Sequence, residues 1–168
     1  MASIGEPVTA KNFVLNTLKK ESFCLSKALK GGAVLLAFFR TVCPASQLLF
    51  PYLERLHGYY SMQSIYGISQ DNEIFTKEFV ARYAIQFSVL LDESCSVSYD
   101  YNVMIVPTIL WVEPDMTISF YSTGFSKYDL NQLGERIVKL YDVESIPIAS
   151  PDDGAPMAKP GSLSKRTT

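Results

Sequence analysis

The chain has 168 residues, of which 48% are hydrophobic and 19% are charged, and its formal net charge at pH 7 is -2. This length suits one domain with a sizeable core, and the composition is typical of globular rather than disordered proteins. Because neither sign of charge is concentrated in a block, we expect neither nucleic acid nor an acidic membrane surface as a partner.

The cysteine content excludes several classes of protein. Cys24, Cys43 and Cys95 are an odd number with no close pair, which argues against a disulfide-stapled secreted scaffold and favours a reducing compartment, so we expect a cytoplasmic protein. The first 13 residues lack a basic flank followed by an apolar stretch, so we expect no export signal. The one histidine, His57, belongs to no cluster with metal-ligand spacing, and we expect neither a metal nor another cofactor.

The first predicted elements are strands. "NFVLNT" and "SFCLS" have strand character and are joined around residues 19–20, so they predict an N-terminal β-hairpin. After "GG" comes the buried strand Ala33–Phe39, whose uninterrupted apolar character is typical of a central strand covered on both faces.

A long helix is predicted directly after that strand. Apolar residues recur at spacings of three and four from Pro44 to about Tyr60, and a proline is acceptable in a first helical turn because its missing N–H would have no partner there. Cys43 therefore lies at the start of this helix, where free backbone N–H groups and the helix dipole favour a negative charge. Such a position lowers the pKa of a thiol and makes it a better nucleophile.

Strand and helix signals continue to alternate along the chain. "SIYGIS" predicts a strand, and a helix follows from about residue 72 to 83 with four side chains expected to point inward: Ile74, Phe75, Phe79 and Val80. "SVLL" predicts a short strand, and the polar stretch after it predicts one brief helix. "PTILWV" and "TISFYS" predict an antiparallel pair around the turn "EPDM". Ser126 with Asp129 three residues later predicts the capped start of the last helix.

The composition changes after about residue 143. The segment 144–168 is rich in proline, serine and alanine and has few apolar residues, so it predicts a disordered tail behind a single domain of residues 1–143. The element order of that domain predicts an α/β fold with a central mixed sheet, helices on both faces and the N-terminal hairpin as an extension.

Four features of the sequence carry a family resemblance: "AVLLAFFRTVCPAS", Pro51 eight residues after the cysteine, "VLLDESCSVSYDYNVMIVPTILWVEPD", and the turn "EPDMTI". In these features the chain resembles the thioredoxin superfamily, in particular the redoxin branch. That branch includes AhpC/TSA peroxiredoxins and thioredoxin-like thiol–disulfide oxidoreductases, and the resemblance implies the thioredoxin-like fold.

The resemblance also implies the parts of an active site. Cys43 corresponds to the reactive cysteine, and Val106–Pro107 corresponds to a cis peptide bond that faces it, beside a groove in which the Val106 backbone pairs with an extended substrate. The residues expected to carry the chemistry are Cys43, Ser46 and Arg40. The residues expected to contact the substrate are Thr41, Val42, Pro44, Val106 and Pro107.

The chain also departs from both patterns of this branch. Thioredoxin-like proteins usually have tryptophan at the position of Val42, a second cysteine at the position of Ser46, and a buried acidic residue at the position of Ala37. Peroxiredoxins have proline and threonine where this chain has Leu36 and Arg40. The site is therefore a CxxS variant, in which Ser46 can donate a hydrogen bond to a thiolate but cannot attack a mixed disulfide.

The remaining cysteines have separate interpretations. Cys24 alternates with Phe23 and Leu25 in "SFCLS" and is expected to pack as a small apolar residue. Cys95 lies in the polar loop "DESCS" and is expected to be exposed. It can resolve an adduct at Cys43 only if the loop brings the two Cα atoms within ~7 Å.

We interpret the chain as a redoxin-type thiol–disulfide oxidoreductase that acts in cell redox homeostasis and antioxidant defence through one cysteine, Cys43. Its partners would be a small or protein thiol or disulfide and an external reductant such as glutathione or thioredoxin. One alternative is a one-cysteine peroxidase, in which Cys43 forms a sulfenic acid that an external thiol reduces. The other is a non-catalytic binding module that uses the same groove.

Overall fold

The computed structural model of the protein describes residues 7–165. Two parts of the chain lie outside this range: residues 1–6, where no export signal is expected, and residues 166–168 of the predicted tail. The α-helices are α1 (Leu25–Ala28), α2 (Pro44–Tyr59), α3 (Glu73–Arg82), α4 (Ser96–Asp100) and α5 (Lys127–Tyr141). The strands are β1 (Val14–Thr17), β2 (Ser22–Cys24), β3 (Val34–Phe39), β4 (Ser64–Ser69), β5 (Ser88–Leu91), β6 (Ile105–Val106), β7 (Thr108–Val112), β8 (Ile118–Thr123), β9 (Phe125–Ser126), β10 (Ala158–Lys159) and β11 (Ser162–Leu163).

Within residues 7–165, seven strands form one mixed sheet in the order β2-β1-β5-β4-β3-β7-β8. β3, β4 and β5 are parallel, while the hairpin β1–β2 and the pair β7–β8 run antiparallel to their neighbours. The predicted thioredoxin-like α/β fold with its N-terminal hairpin is thereby confirmed. Every residue of β3 is buried, as its continuous apolar sequence predicts for a central strand.

The sheet topology places several loops at one edge. The carboxyl ends of the parallel strands β3, β4 and β5 lie side by side, so the loops that follow them share that edge. β7 runs antiparallel to β3, and its first residue, Thr108, pairs with Phe38 near the end of β3. Pro107, which precedes Thr108 in the chain, is thus brought next to the loop that leads into α2.

Helix α3 contacts the sheet through a different face from the predicted one. Thr76 and Phe79 are buried and Val80 is half-buried, whereas Ile74 and Phe75 are exposed, so the inward orientation expected for those two is wrong. Residues 76, 79 and 80 share one side of a helix, and the Thr76 hydroxyl fixes that side to the sheet by hydrogen bonding the hydroxyl of Ser69 in β4 at 2.7 Å.

The C-terminal segment differs from the disordered tail that its composition predicts, because residues 144–165 lie along the domain and contribute strands β10 and β11. The buried side chain of Lys127 explains part of this order. Its ammonium donates to Asp153 Oδ1 (2.6 Å), to the Ser150 carbonyl (2.8 Å) and to the Ala155 carbonyl (2.9 Å). Polar contacts with the domain hold the segment together with the burial of Ile148 and Ala149 in the core.

In the described part of the chain, no helix combines the length and the apolar character that a membrane span requires.

Candidate active site

The loop between β3 and α2 holds Cys43 at the helix start. Cys43 is the N-cap residue of α2, its N–H donates to the Arg40 carbonyl at 3.2 Å, and Pro44 begins the helix. The loop is fixed on its other side, because the Thr41 N–H donates to Asp71 Oδ2 (2.7 Å) and Gln47 Nε2 donates to the Thr41 carbonyl (2.9 Å). The position of the cysteine therefore follows from backbone hydrogen bonds as well as from the proline.

Cys43 and the Val106–Pro107 segment lie together. Cys43 is only 1% exposed, and its thiol donates to the Val106 carbonyl at 3.4 Å. The Val106–Pro107 peptide bond is cis. The structure therefore brings three of the predicted site residues into one arrangement: Cys43, Val106 and Pro107.

Serine hydroxyls set the acidity of this thiol. Burial raises the pKa of Cys43, but hydrogen bonds from the hydroxyls and backbones of Ser162 and Ser46 outweigh burial, so the pKa lies below its ordinary value. Ser46 Oγ is fully buried and has no hydrogen-bond partner of regular geometry in the described part of the chain while the thiol is protonated. We infer that its O–H is available to the thiolate, so ionisation of Cys43 satisfies a buried donor.

Arg40 has a different contact from the expected one. Its guanidinium Nη1 donates to the carbonyl of Leu163 in the C-terminal segment at 3.4 Å. Within residues 7–165 no hydrogen bond joins the Arg40 guanidinium to the Cys43 thiol, and Arg40 Nε is buried without a partner. The structure therefore connects Arg40 to the C-terminal segment, and the lowered pKa of Cys43 comes from Ser162 and Ser46.

The predicted substrate-contact residues of the loop form an open surface beside the thiol. Val42 is 66% exposed, Pro44 is exposed and Thr41 is half-buried. Thr41 and Val42 border a cleft against helix α3, and the exposed Phe75 lies on its other wall. This surface offers apolar contacts next to a thiol that is itself covered.

Cys95 is not exposed as predicted. It is 8% exposed, has a left-handed backbone conformation at the start of α4, and its thiol contacts the Glu93 carbonyl at 3.8 Å. Burial and the negative charge of Asp92 raise its pKa. Cys95 follows β5, and in the sheet β4 lies between β5 and β3. All three cysteines lie within the described residues, and all three are free thiols. Cys95 and Cys43 form no disulfide with each other in this structure.

Cys24 is more polar than expected. It is half-buried, and its sulfur contacts Ser26 Oγ at 3.3 Å and the side chain of Asn12 at 3.7 Å. The Ser26 hydrogen bond is the main cause that lowers the pKa of Cys24 to about 7. Cys24 is therefore a second acidic thiol, remote from Pro107, and not a packed apolar residue.

Sequence reasoning missed the C-terminal contribution to the site. Ser162 pairs with Val106 as part of β11, although its segment reads as polar and structureless. The one usable signal is Gly161, because a Cβ at that position would lie 2.3 Å from the Val106 carbonyl oxygen. A glycine within such a segment is consistent with close backbone approach, but nothing in the sequence indicates which strand it approaches.

Three comparisons agree with the geometry. A thiol-disulfide oxidoreductase ResA from Halalkalibacterium halodurans is 32% identical over 127 residues, which are 74% of this chain and 70% of that protein. The thioredoxin domain of a thiol-disulfide oxidoreductase from Bacteroides vulgatus has a TM-score of 0.69 at 25% identity and covers 81% of this chain and 99% of that one. The peroxidoxin BcpB from Mycobacterium tuberculosis shares the fold, with a TM-score of 0.68 at 18% identity, and covers 83% of this chain and 97% of that one.

The family model described as "AhpC/TSA family" matches residues 7–121, which include β3, the Cys43 loop and the Val106–Pro107 segment. Together with the thiol-disulfide oxidoreductase relative, this match identifies the lineage. The chain belongs to the AhpC/TSA family, in the redoxin branch of the thioredoxin superfamily.

Proposed function

We propose that the protein is a thiol–disulfide oxidoreductase in which Cys43 is the single active-site nucleophile. The observation that carries the proposal is the Cys43 thiol at a helix start, hydrogen-bonded to the carbonyl that precedes cis-Pro107, with the buried Ser46 hydroxyl free to stabilise its anion. The thiol-disulfide oxidoreductases among the relatives support the same reaction class.

The reaction proceeds by two displacements. The Cys43 thiolate attacks one sulfur of a disulfide, a Cys43–substrate disulfide forms, and the other substrate sulfur leaves as a thiolate. Ser46 cannot perform the second displacement. An external thiolate, such as that of glutathione or thioredoxin, attacks the substrate sulfur of the mixed disulfide, and Cys43 leaves as its thiolate.

The neighbouring residues position the substrate. The Val106 backbone and Pro107 form one wall of the groove, and the exposed loop of Thr41, Val42 and Pro44 contacts the substrate on the other side of the thiol. The cleft beside Val42 exposes the apolar side chains of Val42 and Phe75 among polar ones, and this mixed surface favours a protein disulfide over a small hydrophilic one.

The test is accumulation of the mixed disulfide. Wild-type protein treated with oxidised glutathione should gain a glutathionyl group at Cys43, which peptide mapping distinguishes from any adduct at the acidic Cys24, and reduced glutathione should remove it. In Ser46→Cys, an internal thiol three residues away displaces the adduct, so a disulfide between Cys43 and the introduced cysteine should replace it. Cys43→Ser is the negative control. A wild-type adduct at Cys24 alone would contradict the proposal.

The same samples separate the alternatives. A one-cysteine peroxidase would consume hydrogen peroxide with turnover and form a sulfenic acid at Cys43. A non-catalytic binding module would form neither product, even when Cys43 is accessible to an alkylating agent. If the adduct clears without added thiol and Cys95→Ala makes it persist, Cys95 performs the second displacement.

We also propose a reducing compartment, the cytoplasm, as the place of action, and antioxidant defence as its role. The support is the free state of Cys24, Cys43 and Cys95. Fractionation of cells that express the full chain, with a thiol-labelling assay of each fraction, tests the compartment.

A further inference from the structure

The strands β10 and β11 belong to one segment, residues 158–165, which we name the tail strand. Ala158 and Lys159 pair antiparallel with β9, while Ser162 and Leu163 pair antiparallel with β6. β6 contains Val106, the residue before cis-Pro107. The tail strand therefore uses the backbone that the proposed function assigns to an extended substrate.

Two glycines allow the tail strand to approach this backbone. A Cβ at Gly161 would lie 2.3 Å from the Val106 carbonyl oxygen, and a Cβ at Gly124 would lie 2.7 Å from the Lys159 carbonyl oxygen. Gly124 also has φ +72°, which side-chain-bearing residues rarely adopt. Close pairing thus depends on the absence of a side chain at both positions.

The tail strand covers the reactive thiol. Val42, next to Cys43 in the chain, is 66% exposed, whereas Cys43 is 1% exposed. Ser162, the residue paired with Val106, lies beside Cys43, whose thiol donates to the Val106 carbonyl, and the Ser162 hydroxyl lowers the pKa of that thiol. A thiol at an open helix start is thus enclosed by the tail strand on the side of Val106.

Polar contacts fasten the end of the tail strand. Leu163 accepts from Arg40, and the Ser164 N–H donates to the Met104 carbonyl at 2.9 Å. Gln70 bonds the hydroxyl of Ser164 at 2.6 Å and accepts from the Lys165 N–H at 2.8 Å.

The tail strand buries little apolar surface, because Ala158, Lys159 and Leu163 are exposed. Segments held by few apolar contacts open locally at lower free energy than the core unfolds. We therefore expect opening of the tail strand to require less free energy than unfolding of the sheet.

We propose that the tail strand is an internal occupant of the peptide groove, which shields Cys43 until an extended polypeptide substrate takes its place along β6. This inference rests on the proposed function and adds its regulation. It also defines the substrate class, since a polypeptide that pairs with β6 competes with the tail strand, whereas a small disulfide must wait for it to open.

Removal of the tail strand tests the shielding. Iodoacetamide alkylation of the Cys43 peptide is followed by mass spectrometry in wild type, in a chain that ends at Met157, and in full-length Gly161→Val. At pH ~9, where an ordinary thiol is largely ionised, we expect both variants to react about tenfold faster or more. In Gly161→Val the chain is complete, and only the pairing of the tail strand with β6 is disrupted. Leu163→Ala changes an exposed side chain of the same strand and keeps the pairing, so its rate should match wild type.

A peptide added in trans tests the substrate class. Peptide "PMAKPGSLSK", residues 156–165, should bind the chain that ends at Met157 and slow alkylation of Cys43, while the same peptide with valine in place of Gly161 should not. Binding of both peptides alike would contradict recognition through β6.

A cross-link tests the register. Ser162→Cys treated with oxidised glutathione should form a disulfide between Cys43 and the introduced cysteine, with two reduced glutathione molecules as the other product. Leu163→Cys, one position along and exposed, should not form this bond. No cross-link, together with unchanged alkylation in the truncated chain, would overturn the proposal of an internal occupant.

The two proposals fail differently. If the truncated chain alkylates no faster but still forms the glutathione adduct at Cys43, the shielding is wrong and the exchange function stands. If the truncated chain alkylates faster at Cys43 but forms no adduct, the exchange function is wrong and the shielding stands.

Discussion

The reactivity of Cys43 reflects two opposing effects at one atom. Burial disfavours a thiolate, and the Ser46 and Ser162 hydrogen bonds favour it. The guanidinium of Arg40, a residue expected to carry part of the chemistry, donates to the Leu163 carbonyl instead. The thiolate is therefore stabilised by neutral serine hydroxyls and not by a cation. Their dipoles stabilise it strongly because they lie close to the sulfur in a site that excludes water.

Ser46→Ala should make Cys43 less acidic, because the thiolate then loses a buried donor. A hydrogen bond to a charged group contributes about 1.5 kcal/mol or more, so we expect alkylation of Cys43 at pH ~7 to slow about tenfold. The measurement is the rate as a function of pH, whose midpoint should rise while the plateau stays the same. Ser61→Ala, at an exposed position, is the control. An unchanged midpoint in Ser46→Ala would show that this hydroxyl does not stabilise the thiolate.

Cys24 and Cys95 should differ in reactivity although neither belongs to the site. The pKa of Cys24 is lowered to about 7 by Ser26, whereas burial raises that of Cys95. Peptide-resolved alkylation at pH ~7 should label Cys24 well before Cys95. Ser26→Ala should move the midpoint of the Cys24 profile upward and leave Cys95 unchanged. Equal labelling of the two thiols would contradict these assignments.

At the scale of elements, helix α2 is held against β3 and β4 by a cluster of aromatic rings. The Phe50 ring lies 4.2 Å from that of Phe39 and 5.2 Å from that of Phe79, measured between centroids. Gly67 in β4 makes room for this cluster, because a Cβ there would lie 3.2 Å from Phe50 and 3.3 Å from Phe39. The glycine lets the helix that carries Cys43 pack closely on the sheet.

Gly67→Val should therefore destabilise the fold. Extra side-chain atoms at a filled position cost about 1–3 kcal/mol, which urea titrations followed by circular dichroism resolve. Gly58→Ala is the matched comparison: nothing lies within 4 Å of its added Cβ, and it stands within α2. It should stabilise the protein by up to about 1 kcal/mol, because alanine favours helix over glycine. Equal effects of the two substitutions would contradict the packing argument.

At the scale of the whole molecule, residues 144–165 join the last helix to the active site. The segment first returns along the domain, where Tyr60 Oη donates to the Glu144 carbonyl and Arg55 donates to that of Ile148. It then passes the buried Lys127, which donates to Asp153, and reaches β6 beside Cys43. The position of the tail strand thus depends on contacts more than ten residues before it.

The Lys127–Asp153 contact should make stability depend on pH. Hydrogen bonds from Lys127 and Tyr52 hold the pKa of Asp153 below its usual range. A carboxyl with a lower pKa in the folded chain stabilises the fold fully above its unfolded pKa, about 4, and loses that contribution as the pH falls below it.

We therefore expect the free energy of unfolding of wild type, measured in urea, to decrease between pH ~5 and ~2, and that of Asp153→Asn to decrease less. Asp153→Asn should also be less stable at pH ~7, because Lys127 is then a buried cation without its partner. Asp152→Asn, at the neighbouring exposed position, controls for the general loss of charge. Identical pH profiles for wild type and Asp153→Asn would contradict the role of this pair.

Local sequence patterns were sufficient for most of the elements. The uninterrupted apolar run of β3 predicts a central strand, and Pro44 with the recurring leucines predicts α2, because each pattern depends on residues near one another in the chain. Helix α3 shows the limit of this reasoning. Phe75 is apolar and in a helix, yet it is exposed, because the Ser69–Thr76 hydrogen bond rather than apolarity selects the face that meets the sheet.

By itself, the sequence determined the fold class and the presence of a thiol at a helix start, since strand burial, helix periodicity and the N-terminal proline are local properties. Only the tertiary structure decided what surrounds that thiol. The Val106 carbonyl is 63 residues from Cys43 in the chain, and Ser162 is still more distant. The polar residues of the C-terminal segment do not indicate burial, yet hydrogen bonds to Gln70, Lys127 and β6 hold this segment in place. The sequence does not reveal these partners, because they lie on elements that only the fold brings together.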